Sequence, residues 1–368
     1  MTQTVNIRQA GKILRHCLIS NYENQKAGTG AKPIVPMLMG MQGIGKTDCG
    51  RQSVQEPYNG LDMGMVEVAL AQKDPTEVNG IQMPDLANDQ TKNLKAHWYL
   101  EVVAKKTAGI EIGWVFGDEF PQAPVPTQNA IAPIMNDGMV GEYKLPDGWF
   151  FMCAGNRLKD KAGTNRIPTH IKDRVTFIYV EPDIDDFCDY ATKSGWSPYI
   201  PAFMRFKGKE DSTVFCHSDP TQDSTSTPRA WQRANTILDM GLEGDLTCLQ
   251  ALLSGTLGEA TTNSFMAFLE VVQTAPELTN LDAILDDPAN APICDRPDIL
   301  FVLLGSLSAR CTLDTFPAIA EYCVRLDNKD LLQICIQDCM AVCSGVRSSE
   351  TFKQLVVDGH LNDNTVYA

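Results

Sequence analysis

Short apolar runs alternate with stretches of helical spacing over the first half of the chain. Apolar runs bounded by polar or glycine-bearing segments are typical of buried strands. They predict strands over residues 35–39, 65–70, 113–116, 149–154 and 175–180. Helical spacing predicts helices over residues 6–20, 47–55, 93–106, 126–135 and 167–173. Because proline cannot donate a backbone hydrogen bond, Pro36 is placed at the start of its strand, and Pro133 is expected to kink or end its helix.

The second half of the chain has a different pattern. Residues 218–227 are rich in Ser, Thr and Asp, which indicates a linker, just as residues 21–32 and 74–80 indicate a loop and a turn-rich segment. Helical spacing then dominates, with a helix beginning at Pro228 and further helices over residues 246–257, 264–274, 299–309 and 331–343. Only residues 355–357 favour a strand in this half. No internal repeat of fixed period is present.

This alternation of strands and helices predicts an α/β fold with a mainly parallel sheet covered on both faces. An all-helical lid and a C-terminal helical region are expected to follow the sheet. The predicted division is an N-terminal helix and loop over residues 1–30, an α/β core over residues 31–220, and the helical part over residues 221–368.

Composition narrows the class of protein. The 368 residues are 43% hydrophobic, as in a globular protein that buries a sizeable core, and no run of 18 apolar residues occurs. The polar N-terminus lacks the apolar stretch of a signal peptide, so we expect a cytoplasmic protein that does not act at a membrane. The net charge of −15 disfavours a nucleic-acid partner, because phosphate backbones are bound mainly by cationic surfaces.

The chain has 12 cysteines but no C-x-x-C pair, which gives little support to a zinc ribbon or a redox pair. Cys335, Cys339 and Cys343 are spaced to share one helix face, which is compatible with a soft metal. Buried free thiols are the commoner case, and we expect these three to be core residues.

The most specific motif is the segment GMQGIGKT at residues 40–47, which fits the phosphate-binding loop G-x-x-x-x-G-K-[ST] at every fixed position. It follows a predicted strand and precedes a predicted helix, as such a loop requires. Glycines allow the backbone N–H groups to converge on phosphates, and the lysine supplies a mobile positive charge. The residues expected to bind nucleotide are Gly40, Gln42, Gly43, Ile44, Gly45, Lys46, Thr47 and Asp48.

Two further strand ends carry polar groups that suit ATP hydrolysis. Asp118 and Glu119 follow the strand at 113–116; Asp118 is expected to hold Mg²⁺ together with the hydroxyl of Thr47, and Glu119 to polarise the attacking water. Asn156 follows the strand at 149–154, which should lie beside the strand of the phosphate loop. Its carboxamide can contact the γ-phosphate and hold the water, although a simple turn residue is the alternative.

Three arginines are candidates for contacts with the phosphates. Arg174 stands just before the strand at 175–180, where it could complete the site of a neighbouring subunit, and Arg166 competes for the same role. Arg229 would open the first helix of the helical part, where the helix dipole disfavours a cation, and it could swing towards the nucleotide.

The ordered set GMQGIGKT, WVFGDE, FFMCAGN, IKDRV and TPRA resembles an AAA+ ATPase, specifically the MoxR-like branch. The segment LAQKDPT at residues 70–76 also resembles the second-strand region of that branch. The resemblance runs from Lys32 to Leu238. It departs from the family at Gly117, where a bulky apolar residue is usual, and at residues 79–92, a short polar insert.

The resemblance implies an ATPase that converts ATP and water to ADP and phosphate, with Mg²⁺ as cofactor and sites between the subunits of a ring, usually a homo-hexamer. By resemblance Lys46, Thr47, Asp118 and Glu119 are the Walker residues, Asn156 is sensor 1, Arg174 the arginine finger and Arg229 sensor 2. Branch members often act with a partner carrying a von Willebrand A-type, metal-binding domain. This chain has no D-x-S-x-S motif, so such a domain would be on another chain.

The same residues bear on other classes of nucleotide-binding protein. A GTPase would need N-K-x-D, which the segment NRLK at residues 156–159 does not provide. A small-molecule kinase would not need Asn156, Arg174 and Arg229 in this order. A scaffold that binds ATP without hydrolysis has no need of Glu119, and a nucleic-acid-linked motor remains an alternative that the acidic charge disfavours.

Overall fold

The computed structural model describes residues 3–157, 165–216, 224–242, 244–275, 280–362 and 365. Their contacts divide the chain into two compact units, Met1–Pro182 and Asp183–Ala368. Each unit buries its own apolar side chains.

Parallel strands form the centre of the first unit. The strands of this unit are β1 (Thr4–Val5), β2 (Pro36–Met39), β3 (Met63–Ala69), β4 (Ile81–Asp85), β5 (Gln90–Leu94), β6 (Ile112–Asp118), β7 (Met139–Val140), β8 (Tyr143–Lys144), β9 (Trp149–Gly155) and β10 (Thr176–Val180). In the described residues, six of them make one sheet in the order β1-β10-β2-β9-β6-β3, and every pairing in it is parallel. The other four strands form two antiparallel hairpins, β4–β5 and β7–β8.

Helices cover both faces of this sheet. They are α1 (Ile7–Lys26), α2 (Lys46–Gln52), α3 (Pro75–Asn79), α4 (His97–Thr107), α5 (Val125–Asp137) and α6 (Thr169–Lys172). Side chains of α4 and α5 pack in one apolar core with alternate residues of β2, β6 and β9, whereas α1 contacts the same strands from the other side. Because both faces are covered, β2 and β9 are buried along their whole length and carry unbroken apolar runs.

In its described residues the second unit has helices and connecting loops but no strand. Its helices are α7 (Ile184–Lys193), α8 (Tyr199–Phe203), α9 (Thr213–Cys216), α10 (Pro228–Leu238), α11 (Leu246–Leu257), α12 (Glu259–Gln273), α13 (Leu281–Asp286), α14 (Pro297–Ala309), α15 (Phe316–Arg325), α16 (Lys329–Val342) and α17 (Glu350–Val357), with a π-helical turn at Met204–Gly208. Two apolar clusters stabilise it, and α14 contributes to both. Cys335 and Cys339 are fully buried in one cluster, as expected, and Cys343 is half-buried.

A buried ion pair joins two elements of the second unit. Both guanidinium Nη atoms of Arg205, in the π-helical turn, donate to the carboxylate of Asp338 on α16, at 2.6 and 2.8 Å. Burial raises the pKa of Asp338, and the adjacent Arg205 opposes that shift. Removal of one partner would leave the other charge buried without compensation, so the pair is a structural element of this core.

The predicted α/β class, a parallel sheet flanked by helices and followed by a helical region, is confirmed. The division of the chain differs from the prediction of boundaries near residues 30 and 220. The N-terminal segment belongs to the first unit, since β1 pairs with β10 and α1 packs on the sheet. Residues 183–216 belong to the second unit, because Phe187, Ile200 and Phe203 share an apolar cluster with Trp231 and Phe265.

The predicted linker is only partly described. Residues 218–223 of it lie outside the described residues. At its end, the Oγ of Ser226 donates to the carbonyl of Thr213, and the Thr227 hydroxyl accepts from the N–H of Ala230 as the N-cap of α10. The start of a helix at Pro228 is confirmed.

Other predicted elements are corrected by tertiary contacts. Residues 93–94 belong to β5 rather than to a helix, because they pair with Ile81 and Gln82, and α4 begins only at His97. The turn-rich segment at 74–80 contains α3, which Asp74 and Glu77 cap reciprocally.

Two further predictions are corrected, one in each unit, and both concern residues near the end of a helix. Pro133 lies inside α5, which continues to Asp137; the loss of one backbone donor is offset by burial of Ile134 and Met135. The predicted strand at 355–357 is wrong, since these residues end α17, which buries Phe352 and Leu355 at helical spacing.

Candidate active site

The phosphate loop connects β2 to α2 as the motif requires. Gly45 has a φ of 90° and directly precedes α2, a conformation that favours glycine. At Gly40 a Cβ atom would lie 2.6 Å from Ile44 Cδ1 and 2.7 Å from the Val180 carbonyl oxygen. The close approach at Gly40 and the left-handed turn at Gly45 therefore both require glycine.

Lys46 is buried, and its amine contacts oxygens of the phosphate loop and of Asn156. Nζ donates to the carbonyls of Gly40 at 3.0 Å and Met41 at 2.6 Å, and to Oδ1 of Asn156 at 3.0 Å. The ammonium thus lies between the loop and the end of β9. A phosphate bound in the loop would compete for the same amine, which can exchange its carbonyl partners for phosphate oxygens.

Thr47 and Asp118 supply oxygen donors that suit Mg²⁺. The Thr47 hydroxyl donates to Oδ2 of Asp118 at 2.8 Å, which joins the start of α2 to the end of β6. A hydroxyl and a carboxylate fit a Mg²⁺ ion that takes its other ligands from phosphates and water. Among the described residues no cluster of three or more His, Cys, Asp or Glu side chains offers an all-protein metal site. The donor set fits a nucleotide-bound Mg²⁺.

Glu119 has unusual backbone geometry. Its φ is 54° and its ψ is 35°, which is uncommon for a residue other than glycine, and its N–H donates to Oδ1 of Asp118 at 2.9 Å. The Glu119 side chain is exposed, and in the described part of the chain its carboxylate has no hydrogen-bond or ion-pair partner. Strained backbone at such a position is often linked to function, because it points a side chain in a direction that a relaxed strand would not give it.

Gly117, which departs from the family pattern, is explained by its neighbours. A Cβ atom at this position would lie 2.6 Å from Leu70 Cδ1 and 2.7 Å from Phe151 Cζ. Leu70 and Phe151 therefore fill the space that a side chain at Gly117 would need.

We expect Gly117→Ala to lower the free energy of unfolding by roughly 1–3 kcal/mol, because the added methyl group overpacks this part of β6. Chemical denaturation measures the change. Gly255→Ala is the matched control, since a Cβ atom there meets no atom within 4 Å. Equal stability of Gly117→Ala and wild type would contradict the packing described here.

Asn156 lies where the sequence analysis placed it, at the end of the strand beside that of the phosphate loop. β9 pairs with β2 in parallel, with Met39 opposite Gly155. Asn156 is buried and its Oδ1 accepts from Lys46 Nζ. A simple turn residue would not be expected to contact that amine, so the geometry favours the functional interpretation.

The other residues predicted to bind nucleotide make contacts within the protein. Ile44 is buried and contacts Gly40, so its side chain stabilises the loop. The Asp48 carboxylate accepts from Arg51 at 2.7 Å, and Arg51 also pairs with Glu67 at 2.6 Å. The predicted binding roles of Asp48 and Gln42 stay predictions.

The three arginines lie in different places. Arg174 precedes β10, and its Nη1 donates to the carbonyl of His170. β10 is not an edge strand along its whole length, because β1 pairs with its last two residues. Arg166 is exposed, and Arg229 is an exposed residue at the start of α10 in the second unit. Their roles stay predictions.

A cavity of about 580 Å³ lies beside the site in the first unit. Its lining includes Met39, Asn156 and Arg166, so Arg166 lies near the carboxyl end of β2 within one chain. The two candidates for the arginine finger therefore differ in position: Arg166 lines this cavity in its own chain and Arg174 does not.

Sequence reasoning missed Asn165. Its backbone N–H donates to the carbonyl of Pro121 at 2.6 Å, and its side-chain amide donates to the carbonyls of Gln122 and Ala123. No local pattern marks this residue, because its partners lie more than 40 positions earlier and come close only when the chain folds back over the end of β6.

These features give the first unit a parallel α/β core with a phosphate loop. The phosphate loop follows β2, the acidic pair ends β6, and Asn156 follows β9, all at one edge of a parallel sheet. A helical region follows in sequence. In the described residues, no helix combines the length and apolar character needed to cross a membrane.

Comparisons with known proteins give likenesses in structure only. No protein-family model and no curated protein sequence matches the chain. A RuvB mutant from Thermotoga maritima is similar with a TM-score of 0.32 at 13% identity, over 80% of this chain and 81% of that one. The ORC2 protein of Aeropyrum pernix, solved as ADPNP-ADP complexes, has a TM-score of 0.40 at 14% identity, over 78% and 76%.

A further similar structure is NtrX from Brucella abortus, with a TM-score of 0.32 at 14% identity over 75% of this chain and 53% of that one. Likenesses at these values carry no argument about activity or partners. The functional conclusion therefore depends on the residues of the site.

Proposed function

We propose that this chain is a Mg²⁺-dependent AAA+ ATPase of the MoxR-like type, which hydrolyses ATP to ADP and phosphate. The observation that carries the proposal is the convergence of polar groups at one sheet edge, where Lys46 donates to Asn156 at 3.0 Å and Thr47 donates to Asp118 at 2.8 Å. Each group has the chemistry that phosphoryl transfer to water needs.

In this proposal, Lys46 moves from its carbonyl partners to the β- and γ-phosphates and neutralises their charge. Thr47 and Asp118 would hold Mg²⁺, which supplies further positive charge to the phosphate oxygens. Glu119 accepts a proton from the attacking water, since its carboxylate is exposed and not engaged by another described side chain. Asn156 orients that water and is linked to the γ-phosphate through Lys46.

The assembly and the partners are part of the proposal. Arg174 is proposed to act on the site of a neighbouring subunit in a ring, taken to be a homo-hexamer by resemblance. The ring would remodel or chaperone a protein partner, with a von Willebrand A-type domain on that partner as the specific expectation. A cytoplasmic location and the absence of a nucleic-acid partner are proposed from composition and charge. A scaffold with little turnover is the alternative, and the exposed Glu119 carboxylate, which pairs with no described residue, speaks against it.

The proposed nucleotide site is tested by thermal melts with Mg²⁺ and a non-hydrolysable ATP analogue. At a hundredfold excess over its dissociation constant, the analogue should stabilise the wild type by about 2.7 kcal/mol. Lys46→Ala should lose most of this shift, because the phosphate charge is no longer neutralised. Lys353→Ala is the control, since Lys353 is exposed and pairs only with Glu350 of its own helix among the described residues.

Equal shifts for wild type and Lys46→Ala would contradict the proposed site. The same melts with a GTP analogue should show a smaller shift, because the chain lacks the N-K-x-D motif that reads guanine. Omission of Mg²⁺ should weaken the shift for ATP, since Thr47 and Asp118 would then lack the ion that links them to the phosphates.

A further inference from the structure

The backbone at Glu119 is held by a tight turn. The Glu119 carbonyl accepts from the N–H groups of Gln122 at 2.9 Å and Ala123 at 3.2 Å. The 3₁₀ helix Phe120–Gln122 directly follows Glu119. Because Glu119 itself is in the left-handed conformation, it would relax if this turn opened. The direction of its carboxylate therefore depends on what stabilises the turn.

One residue from a distant part of the chain binds three consecutive carbonyls of this turn. The Asn165 N–H donates to Pro121 O at 2.6 Å, and Asn165 Nδ2 donates to Gln122 O at 3.3 Å and Ala123 O at 2.9 Å. Nε2 of Gln128 also donates to Ala123 O, at 3.0 Å. Of the described side chains, only that of Asn165 donates to Gln122 O.

The other side of the turn packs on the strand that carries Asn156. A Cβ atom at Gly155 would lie 2.0 Å from Cδ of Pro121, so the proline ring lies directly on the glycine backbone. The turn is thus held between the end of β9 and Asn165. The requirement for an amide is chemical: only an NH₂ group of this size donates two hydrogen bonds to adjacent carbonyls, whereas a carboxylate accepts only.

We infer that Asn165 is a positioning residue that aims the Glu119 carboxylate at the water for hydrolysis. This inference rests on the proposed ATPase function, and it assigns to Asn165 no contact with the nucleotide. Its loss should therefore slow the chemical step and leave nucleotide binding unchanged.

The test compares steady-state ATP hydrolysis by Asn165→Ala with that of the wild type. We expect kcat to fall roughly tenfold, equivalent to about 1.4 kcal/mol, with KM and the analogue-induced melting shift within about twofold of wild type. Asn165→Asp, which keeps the size but cannot donate, should lose as much. Should Asn165→Ala not fold, Asn165→Asp carries the same expectation. Asn290→Ala is the control, because its amide contacts Asp287 in a turn of the second unit.

A second measurement separates positioning from general weakening of the fold. In a Glu119→Gln background, Asn165→Ala should lower the residual rate by less than about twofold, because residues that act through one group are not additive. A full tenfold loss in that background, or a kcat of Asn165→Asp equal to wild type, would overturn the inference about Asn165 and leave the proposed ATPase function in place. Absence of ATP turnover in the wild type would instead overturn the proposed function, and this inference with it.

Discussion

Replacing Arg174 with alanine should lower ATP turnover by roughly 10³- to 10⁵-fold while ATP still binds. The reason lies in the parallel sheet. Thr176 is opposite Pro36, whereas the phosphate loop begins after Met39 at the other end of the same strand. Four residues of strand span about 13 Å, so Arg174 lies away from the phosphate loop of its own chain. This separation supports the proposal that Arg174 acts on a neighbour's nucleotide.

Mixing two inactive variants tests this arrangement. Arg174→Ala keeps an intact phosphate loop, and Lys46→Ala keeps an intact arginine, so a mixed assembly contains some interfaces with both. Turnover should return in part when the two proteins are mixed. Subunit exchange is measured separately by fluorescence transfer between labelled subunits.

If exchange occurs and the mixture stays inactive, Arg174 is not the finger. Arg166 is then the next residue to test, although it lines the cavity beside Asn156 in its own chain. Arg310→Ala is the matched control, because Arg310 makes an exposed ion pair with Asp282, and such pairs contribute little. It should hydrolyse ATP at the wild-type rate.

Glu119→Gln should bind ATP as the wild type does and lose roughly 10²- to 10⁴-fold in turnover. Glutamine keeps the size and the hydrogen-bonding reach of glutamate but cannot accept a proton from water. The left-handed backbone and the Asp118 hydrogen bond to the Glu119 N–H do not depend on the side chain, so the turn should persist. Single-turnover hydrolysis measures the loss, and the melting shift with the ATP analogue shows that binding is retained.

Glu350→Gln is the corresponding control, since Glu350 is an exposed residue of α17 that pairs with Lys353. A Glu119→Gln protein with wild-type turnover would show that another group activates the water. Loss of the melting shift would show instead that Glu119 contributes to nucleotide binding.

The strands of the sheet were predictable from sequence because their signal is local. β2, β6 and β9 are buried on both faces, so they appear as apolar runs bounded by glycine and polar residues. The phosphate loop was predictable for a similar reason, since its glycines and Lys46 are needed at fixed spacing. The end of each strand then indicated Asp118 and Asn156.

Elements without a buried apolar run, or with partners far along the chain, were not predictable in this way. β4 and β5 are largely exposed, and they are strands because they pair with each other. The helices at residues 184–216 were not separated from the first unit, because nothing local shows which core Phe187 and Phe203 join. Gly117 appeared as a departure until Leu70 and Phe151 were seen to fill its space.

By itself, the sequence determined the α/β class, the phosphate loop and the residues at the carboxyl ends of β2, β6 and β9, because each depends on spacing within a few positions. Only the tertiary structure decided that Lys46 contacts Asn156, that Thr47 contacts Asp118, and that Asn165 binds the turn at Glu119. Those contacts join residues that are far apart in the chain. They form because parallel strands bring their carboxyl ends to one edge, where side chains from separate segments meet.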